Sequence, residues 1–266
     1  MIYCVLFLFD LFYPLYIVYN FPMKINDNIE IKKGDCTKLL EGLEDNSVNA
    51  IVTDPPYLIK YSSRYRKNKN NKFCKQIKND DINKIENKQL IKKSLKEMFR
   101  VLKNNSAMYL FCDFKNIDFF KKEILSAGFK IKNFIIWVKN NRTAGDLTAS
   151  FGHQYEILIL CNKGRKEING TRLSDVWSFK RVPSCNLVHQ NQKPIDLLER
   201  CLEKHTNKND LILDPFMGSA STGLACLNTG RKFIGFEIDD EYFNISKTRL
   251  KEAVKDKQEE LFDIGA

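Results

Sequence analysis

The run Val48-Asn49-Ala50-Ile51-Val52-Thr53 passes directly into Asp54-Pro55-Pro56-Tyr57. A short apolar, β-branched run of this kind reads as a buried strand, and two prolines behind it end the strand, because proline cannot donate to a sheet ladder. The same plan recurs later. Leu211-Ile212-Leu213 leads into Asp214-Pro215-Phe216-Met217-Gly218-Ser219-Ala220-Ser221-Thr222, a Gly/Ser turn that opens a helix. Around these two anchors, strands are expected at 29–33, 107–112, 129–138, 155–161 and 232–237. Helical spacing appears at Ile91, Leu95, Met98, Phe99 and Leu102, and again over 119–127, 193–205, 219–229 and 241–253. Alternation of this kind implies an α/β fold, with a mostly parallel sheet covered on both faces.

Both anchors fall at the carboxyl end of a strand, where open α/β sheets bind ligands. Asp54 offers a carboxylate acceptor, Pro55 a carbonyl in a rigid turn, and Tyr57 an aromatic face. Together they suit a planar heterocycle carrying an exocyclic amine. At the second anchor, backbone N–H groups of the Gly/Ser turn are able to approach a ligand, and Glu237 closes the next strand about 20 residues on, where an acid suits a ribose diol. No GxGxxG is present, which argues for a nucleoside ligand without phosphates.

Composition narrows the class. The 266 residues are 43% hydrophobic, enough for a substantial core, and 43 Lys+Arg against 33 Asp+Glu leave a net charge of +10. Eight basic residues and no acidic one lie between Leu58 and Asn79, including Lys60, Arg64, Arg66, Lys67, Lys69 and Lys72. This interval has no periodic apolar face. It is expected to be a mobile basic loop, spanning 58–90, that contacts nucleic acid phosphates. The eight Cys are scattered without a CxxC pair, which fits a reduced, cytoplasmic protein, and the three His show no metal-binding spacing, so no metal is expected. Residues 1–22 are almost wholly apolar, yet Asp10 and Pro14 interrupt them and no Lys or Arg precedes Lys24. The flanks are wrong for a membrane anchor or signal peptide, and this extension is read as upstream sequence or disorder, with translation starting at Met23.

DPPY, a QKP segment, DPFMGSAST and FIGFEID, in that order, resemble the β-group of amino-methylating DNA methyltransferases, the N6-adenine and N4-cytosine family. The likeness runs over roughly residues 25 to 250 and includes the family's permuted order, catalytic half before cofactor half. It implies a Rossmann-like S-adenosylmethionine-dependent methyltransferase fold, a seven-stranded sheet with a terminal hairpin, in one domain over 23–256, with 257–266 as a tail. It implies S-adenosylmethionine as cofactor and double-stranded DNA as partner, in a monomer or homodimer, with a role in restriction-modification. DPPY resembles the N6-adenine branch more than the N4-cytosine branch, where Ser commonly replaces the Asp.

Carried onto this chain, the resemblance makes Asp54, Pro55, Pro56 and Tyr57 the catalytic turn. It assigns Asp35 to the cofactor adenine, and Gln192 and Lys193 to the neighbourhood of the methionine carboxylate. Asp214, Phe216, Gly218, Ser219 and Thr222 would line the cofactor, and Glu237 would take the ribose hydroxyls. Trp137, Val138, Lys139 and Glu156 fall on the hairpin beside the target pocket. Two departures stand out: Gly218-Ser219-Ala220-Ser221-Thr222 where the family shows GSGTT, and His189-Gln190-Asn191 where it shows HPT. Only 163–190 is left for a target-recognition segment, with Arg172 and Arg181 as further phosphate contacts, so a short or relaxed recognition sequence is expected. The motifs leave open an N4-cytosine or an RNA adenine methyltransferase. A catalytically silent nucleic-acid-binding subunit is disfavoured by the intact Asp54 and Glu237.

Overall fold

Nine strands, six α-helices and one short 3-10 helix (Phe114–Asn116) lie in the described part of the chain, which in this computed structural model comprises residues 22–60, 77–142, 148–183 and 192–265, with side chains to Glu259. In chain order the strands and α-helices are β1 (Met23–Lys24), β2 (Ile29–Lys33), α1 (Cys36–Glu41), β3 (Val48–Thr53), α2 (Ile85–Val101), β4 (Leu102–Cys112), α3 (Ile117–Ser126), β5 (Lys130–Val138), β6 (Tyr155–Lys163), β7 (Val176–Ser178), α4 (Ile195–His205), β8 (Leu211–Asp214), α5 (Ser221–Thr229), β9 (Lys232–Glu237) and α6 (Asp240–Gly265).

One sheet takes the order β1-β2-β9-β8-β3-β4-β6-β5-β7. The run from β2 through β9, β8 and β3 to β4 is parallel, and β6 lies antiparallel between β4 and β5. The expected seven strands and terminal hairpin are therefore all present. Two short edge strands, β1 and β7, are added, and two or three residues are too few to show a periodicity. The chain leaves β3 toward β4 on one side, while β8 flanks β3 on the other. This topological switch opens a crevice at the carboxyl ends of β3 and β8.

Strand alternation sorts the core onto two faces. Along β4, Tyr109 and Phe111 pack with Leu198 and Leu202 of α4 and Leu224 of α5, whereas Met108 and Leu110 pack with Leu95 and Met98 of α2 and Phe120 of α3. Each fully buried apolar side chain contributes about 1.5–3 kcal/mol relative to exposure. His205 is a core histidine: its Nδ1 lies 2.6 Å from the Tyr109 hydroxyl, and burial, helped by Lys166 and Lys204, lowers its pKa to about 4. The five described cysteines, Cys36, Cys112, Cys161, Cys201 and Cys226, are buried and free.

Three sequence expectations need correction. The basic loop does not run over 58–90: Leu58 is buried in the core, Ile59 bridges to Asp81, and α2 already begins at Ile85, because Ile91, Leu95 and Met98 form an apolar face that seats it. The 257–266 segment is no loose tail, since α6 continues to Gly265. The 163–190 segment is partly sheet, with β7 paired to β5 and Trp177 buried, its indole N–H donating to the Ser174 carbonyl at 2.7 Å. The apolar extension, apart from Pro22, lies outside the described residues, as do Arg64, Arg66, Lys67, Lys69 and Lys72. No helix among the described residues is long and apolar enough to cross a membrane.

Gly235 on β9 shows how tightly this strand is packed against the turn after β8. A Cβ there would lie 2.5 Å from the Met217 sulfur and 2.6 Å from the Phe233 ring. Gly235→Ala should cost about 1–3 kcal/mol by overpacking, a fall in melting temperature of roughly 2–10 °C measurable by differential scanning calorimetry.

Candidate active site

The end of β3 is shaped by its prolines, which carry the chain out of the sheet. Asn116 then fixes the turn, its Nδ2 donating to the carbonyls of Tyr57 at 2.7 Å and Leu58 at 3.0 Å, and so holding Leu58 at a φ of +61°. A left-handed leucine is strained, and the surrounding contacts hold it there. The Tyr57 hydroxyl donates to Asp54 Oδ1 at 2.5 Å, and the Lys193 ammonium donates to Asp54 Oδ2 at 2.6 Å. Glu156 on β6 completes the cluster. Its Oε1 accepts from Lys139 at 2.5 Å, and its Oε2 lies 3.2 Å from both the Lys193 nitrogen and the Tyr57 hydroxyl. Lys193 also sits over the ring of Phe111, 4.8 Å from its centre.

These charges set one another. Burial raises the pKa of Asp54, Lys193 works against that rise, and Glu156 adds to it. Burial also acts to raise Glu156, but Lys193 and Lys139 outweigh it and hold the carboxyl at about 2. Burial disfavours the Lys193 ammonium, yet Asp54 and Glu156 together keep its pKa raised.

The second anchor is positioned by the register of β8 against β3, which brings Asp214 beside Thr53. Asp214 Oδ1 accepts from the Thr53 hydroxyl at 2.8 Å and from the Phe216 N–H at 3.1 Å, while Oδ2 accepts from the Thr222 hydroxyl at 2.8 Å. Asp214 thus ties β3 to the turn and to α5. Its pKa is raised to about 6 by burial, against the pull of Thr222 and Thr53. Gly218 takes a φ of +51°, and its N–H donates to Glu237 Oε2 at 3.0 Å, while the Asp239 N–H donates to Oε1 at 2.7 Å. Ala220 follows at a φ of +60° and ψ of 37°. This explains the glycine that the resembling family carries there, and Ala220 adds a backbone strain of about 1–2 kcal/mol. Asp35 caps α1, accepting from the Thr37 N–H at 2.8 Å.

All four residues of the expected catalytic turn and all nine expected cofactor residues line one cavity of about 420 Å³. Arg181 lies on its wall. Arg172 is exposed and does not line it, and Lys60 stands near Asp81 at 3.6 Å. Sequence reasoning set Lys193 beside the cofactor carboxylate, but its ammonium rests on Asp54. Lys139 and Glu156 came only from the hairpin resemblance, and the meeting of Lys139 and Lys193 on the Glu156 carboxylate had no sequence signal. Among the described residues no cluster of side chains is arranged to hold a metal.

A family profile described as DNA methylase matches residues 48–248. Type II methyltransferase M2.LlaDCHI of Lactococcus lactis subsp. cremoris is 32% identical over 248 residues, covering 86% of this chain and 91% of that protein. Type II methyltransferase M2.DpnII of Streptococcus pneumoniae is 31% identical over 236 residues, covering 82% and 87%. Among solved structures, the M1.HpyAVI–SAM complex superposes with a TM-score of 0.62 at 28% identity, covering 84% of this chain and 99% of that one. The chain belongs to the N6/N4 DNA methylase family.

Proposed function

We propose that this DNA methylase uses S-adenosylmethionine to methylate the exocyclic N6 amine of adenine in double-stranded DNA. The observation that carries this is the shared cavity, in which Asp54 of the DPPY turn and Glu237 of the cofactor half form parts of one wall. The residues fit the cofactor. Glu237 presents a part-buried carboxylate to ribose hydroxyls, Phe216 offers an aromatic face, and the Ser221 hydroxyl is buried in the cavity lining with no partner among the described residues. When bound, the cofactor supplies an electrophilic methyl group on a sulfonium.

The protein's own part is to hold the amine. An adenine amine is a weak nucleophile because its lone pair is delocalised into the ring. Asp54 and the Pro55 carbonyl accept its two hydrogens, which favours a tetrahedral nitrogen and localises the lone pair along the line of attack. Positioning and electrostatics supply most of the rate. The amine is paired inside duplex DNA, so the base must leave the stack, and the Tyr57 ring is its stacking surface. The Asp of the DPPY turn, where the N4-cytosine branch commonly has Ser, favours adenine over cytosine. With β7 built into 163–190, little chain remains for base readout, which supports a short or relaxed recognition sequence. Methylome sequencing after expression in an unmethylated host tests this. N6-methyladenine in a short motif is expected, and a long, strictly read motif contradicts the relaxed recognition.

Glu237 makes cofactor binding pH-dependent. Burial raises its pKa to about 7, against the Asp239 and Gly218 N–H groups that favour the anion. Ribose hydroxyls donate to the ionised form, so affinity rises as pH passes upward through that value. Calorimetric titration should show binding about tenfold weaker at pH 6 than at pH 8.

A further inference from the structure

Asp54 is already occupied in this structure, and the manner of its occupation defines a further role. Both groups that hold it, the Tyr57 hydroxyl on Oδ1 and the Lys193 ammonium on Oδ2, have a second acceptor in reach. That acceptor is the same atom for both: Glu156 Oε2, at 3.2 Å from each. An ammonium at 2.6 Å competes with an incoming amine for the Oδ2 lone pairs, so a lysine fixed there would weaken the acceptor that the reaction needs. A site with no lysine would fail differently, because a buried Asp54 without a cation takes up a proton and ceases to accept. The ammonium has to be close and has to be able to leave. Lys193 ends a flexible four-carbon stem, so rotation about its χ angles swings the ammonium off Asp54 Oδ2 and onto Glu156 Oε2, which already lies 3.2 Å away.

We propose that Lys193 is a positioning residue with two seats: it rests on Asp54 while the base pocket is empty, and moves with the Tyr57 hydroxyl to Glu156 when the exocyclic amine claims Asp54. This rests on the amine-methylating function proposed above. Lys139 keeps the second seat ready by holding Glu156 as an anion from the end of β5. The set balances, since Asp54 and Glu156 carry two negative charges and Lys193 and Lys139 two positive ones. The other titratable groups that face Asp54 are Tyr57 from its own turn, Cys112 from β4 and Asp214 from β8.

The test compares Lys193→Gln, Lys193→Arg and Glu156→Gln with the wild-type protein at saturating S-adenosylmethionine, on DNA from an unmethylated host. Three quantities are read: the methyl-transfer rate against pH, cofactor affinity by calorimetry, and melting temperature against pH without DNA. Lys193→Gln should lower kcat at least about tenfold at pH 7, leave cofactor affinity within about threefold, and move the acid limb of the rate profile to higher pH. Lys193→Arg should restore the limb. Glu156→Gln should also lower kcat, since the ammonium loses its second seat, but its acid limb should move to lower pH because a negative neighbour of Asp54 has gone.

In Lys193→Gln the folded-state pKa of Asp54 lies above its unfolded value, so that variant loses stability as pH rises through it. Its melting-temperature deficit against the wild type should widen from pH 5 to pH 8. A Lys193→Gln protein with weakened cofactor binding, unchanged kcat and an unmoved limb would place Lys193 on the cofactor and overturn the proposal. So would a Glu156→Gln limb that moves upward, or a melting-temperature deficit independent of pH. If Lys193→Gln does not fold, the limbs of Lys193→Arg and Glu156→Gln decide. If the wild type transfers no methyl group to DNA, the proposed function fails, and the melting-temperature comparison still decides whether Lys193 keeps Asp54 ionised.

Discussion

Asp54→Ala is expected to reduce methyl transfer by at least about a thousandfold while changing cofactor affinity less than about threefold. The loss is large because, in the mechanism proposed above, the carboxylate is the charged acceptor for the amine, and removing one preorganised electrostatic group from an active site costs about 10²–10³ in kcat. Here the same change also strips Lys193 and the Tyr57 hydroxyl of their nearest acceptor, leaving a buried ammonium with Glu156 as its remaining anionic partner and the Tyr57 hydroxyl oxygen at 3.1 Å. Cofactor affinity is spared because Glu237, Phe216 and Gly218 belong to β9 and the turn after β8, where Asp214 rather than Asp54 ties the pieces together. A tritiated-methyl assay beside calorimetric titration separates the two effects. Equal losses in both would mean that the turn had collapsed rather than lost its chemistry.

Glu237→Ala is expected to do the reverse and weaken cofactor binding by about a hundredfold. Its carboxylate takes the Gly218 N–H on one oxygen and the Asp239 N–H on the other, so it shapes the loop that surrounds it and, in the proposed reading, offers its remaining acceptors to the ribose. Alanine leaves two part-buried N–H groups without these acceptors, at about 1–3 kcal/mol each where water cannot replace them. Glu237→Gln retains one acceptor oxygen and should bind better than the alanine variant, but without the rise in affinity between pH 6 and pH 8. A pH-independent wild-type affinity would remove Glu237 from the ribose.

The sequence made the frame of this site legible and left its centre obscure. β3, β2 and β9 have the expected bounds, because β3 and β9 are largely apolar runs punctuated by Pro or an acid, and β2 alternates Ile with charged residues up to Gly34. Since both anchors lie at strand ends, and the sheet order sets β8 beside β3, motif position already implied that Asp54 and Asp214 would share a crevice. The six-residue helix α1 was missed, although Asp35 two residues before Thr37 is a helix-capping signal. The meeting of Lys193, Glu156 and Lys139 was not legible at all. Lys193 lies 139 residues from Asp54, and Glu156 lies 99 residues from Tyr57; antiparallel insertion of β6 between β4 and β5 is what brings Glu156 inward. A lone Lys beside a proline and a lone Glu at a strand start give no local sign of being partners.

The most direct measurement is nucleoside analysis by mass spectrometry of unmethylated duplex DNA incubated with the protein and labelled S-adenosylmethionine, with Asp54→Ala alongside. The site predicts labelled N6-methyladenine from the wild type and none from the variant. Labelled N4-methylcytosine in its place, or N6-methyladenine that persists in Asp54→Ala, would contradict it.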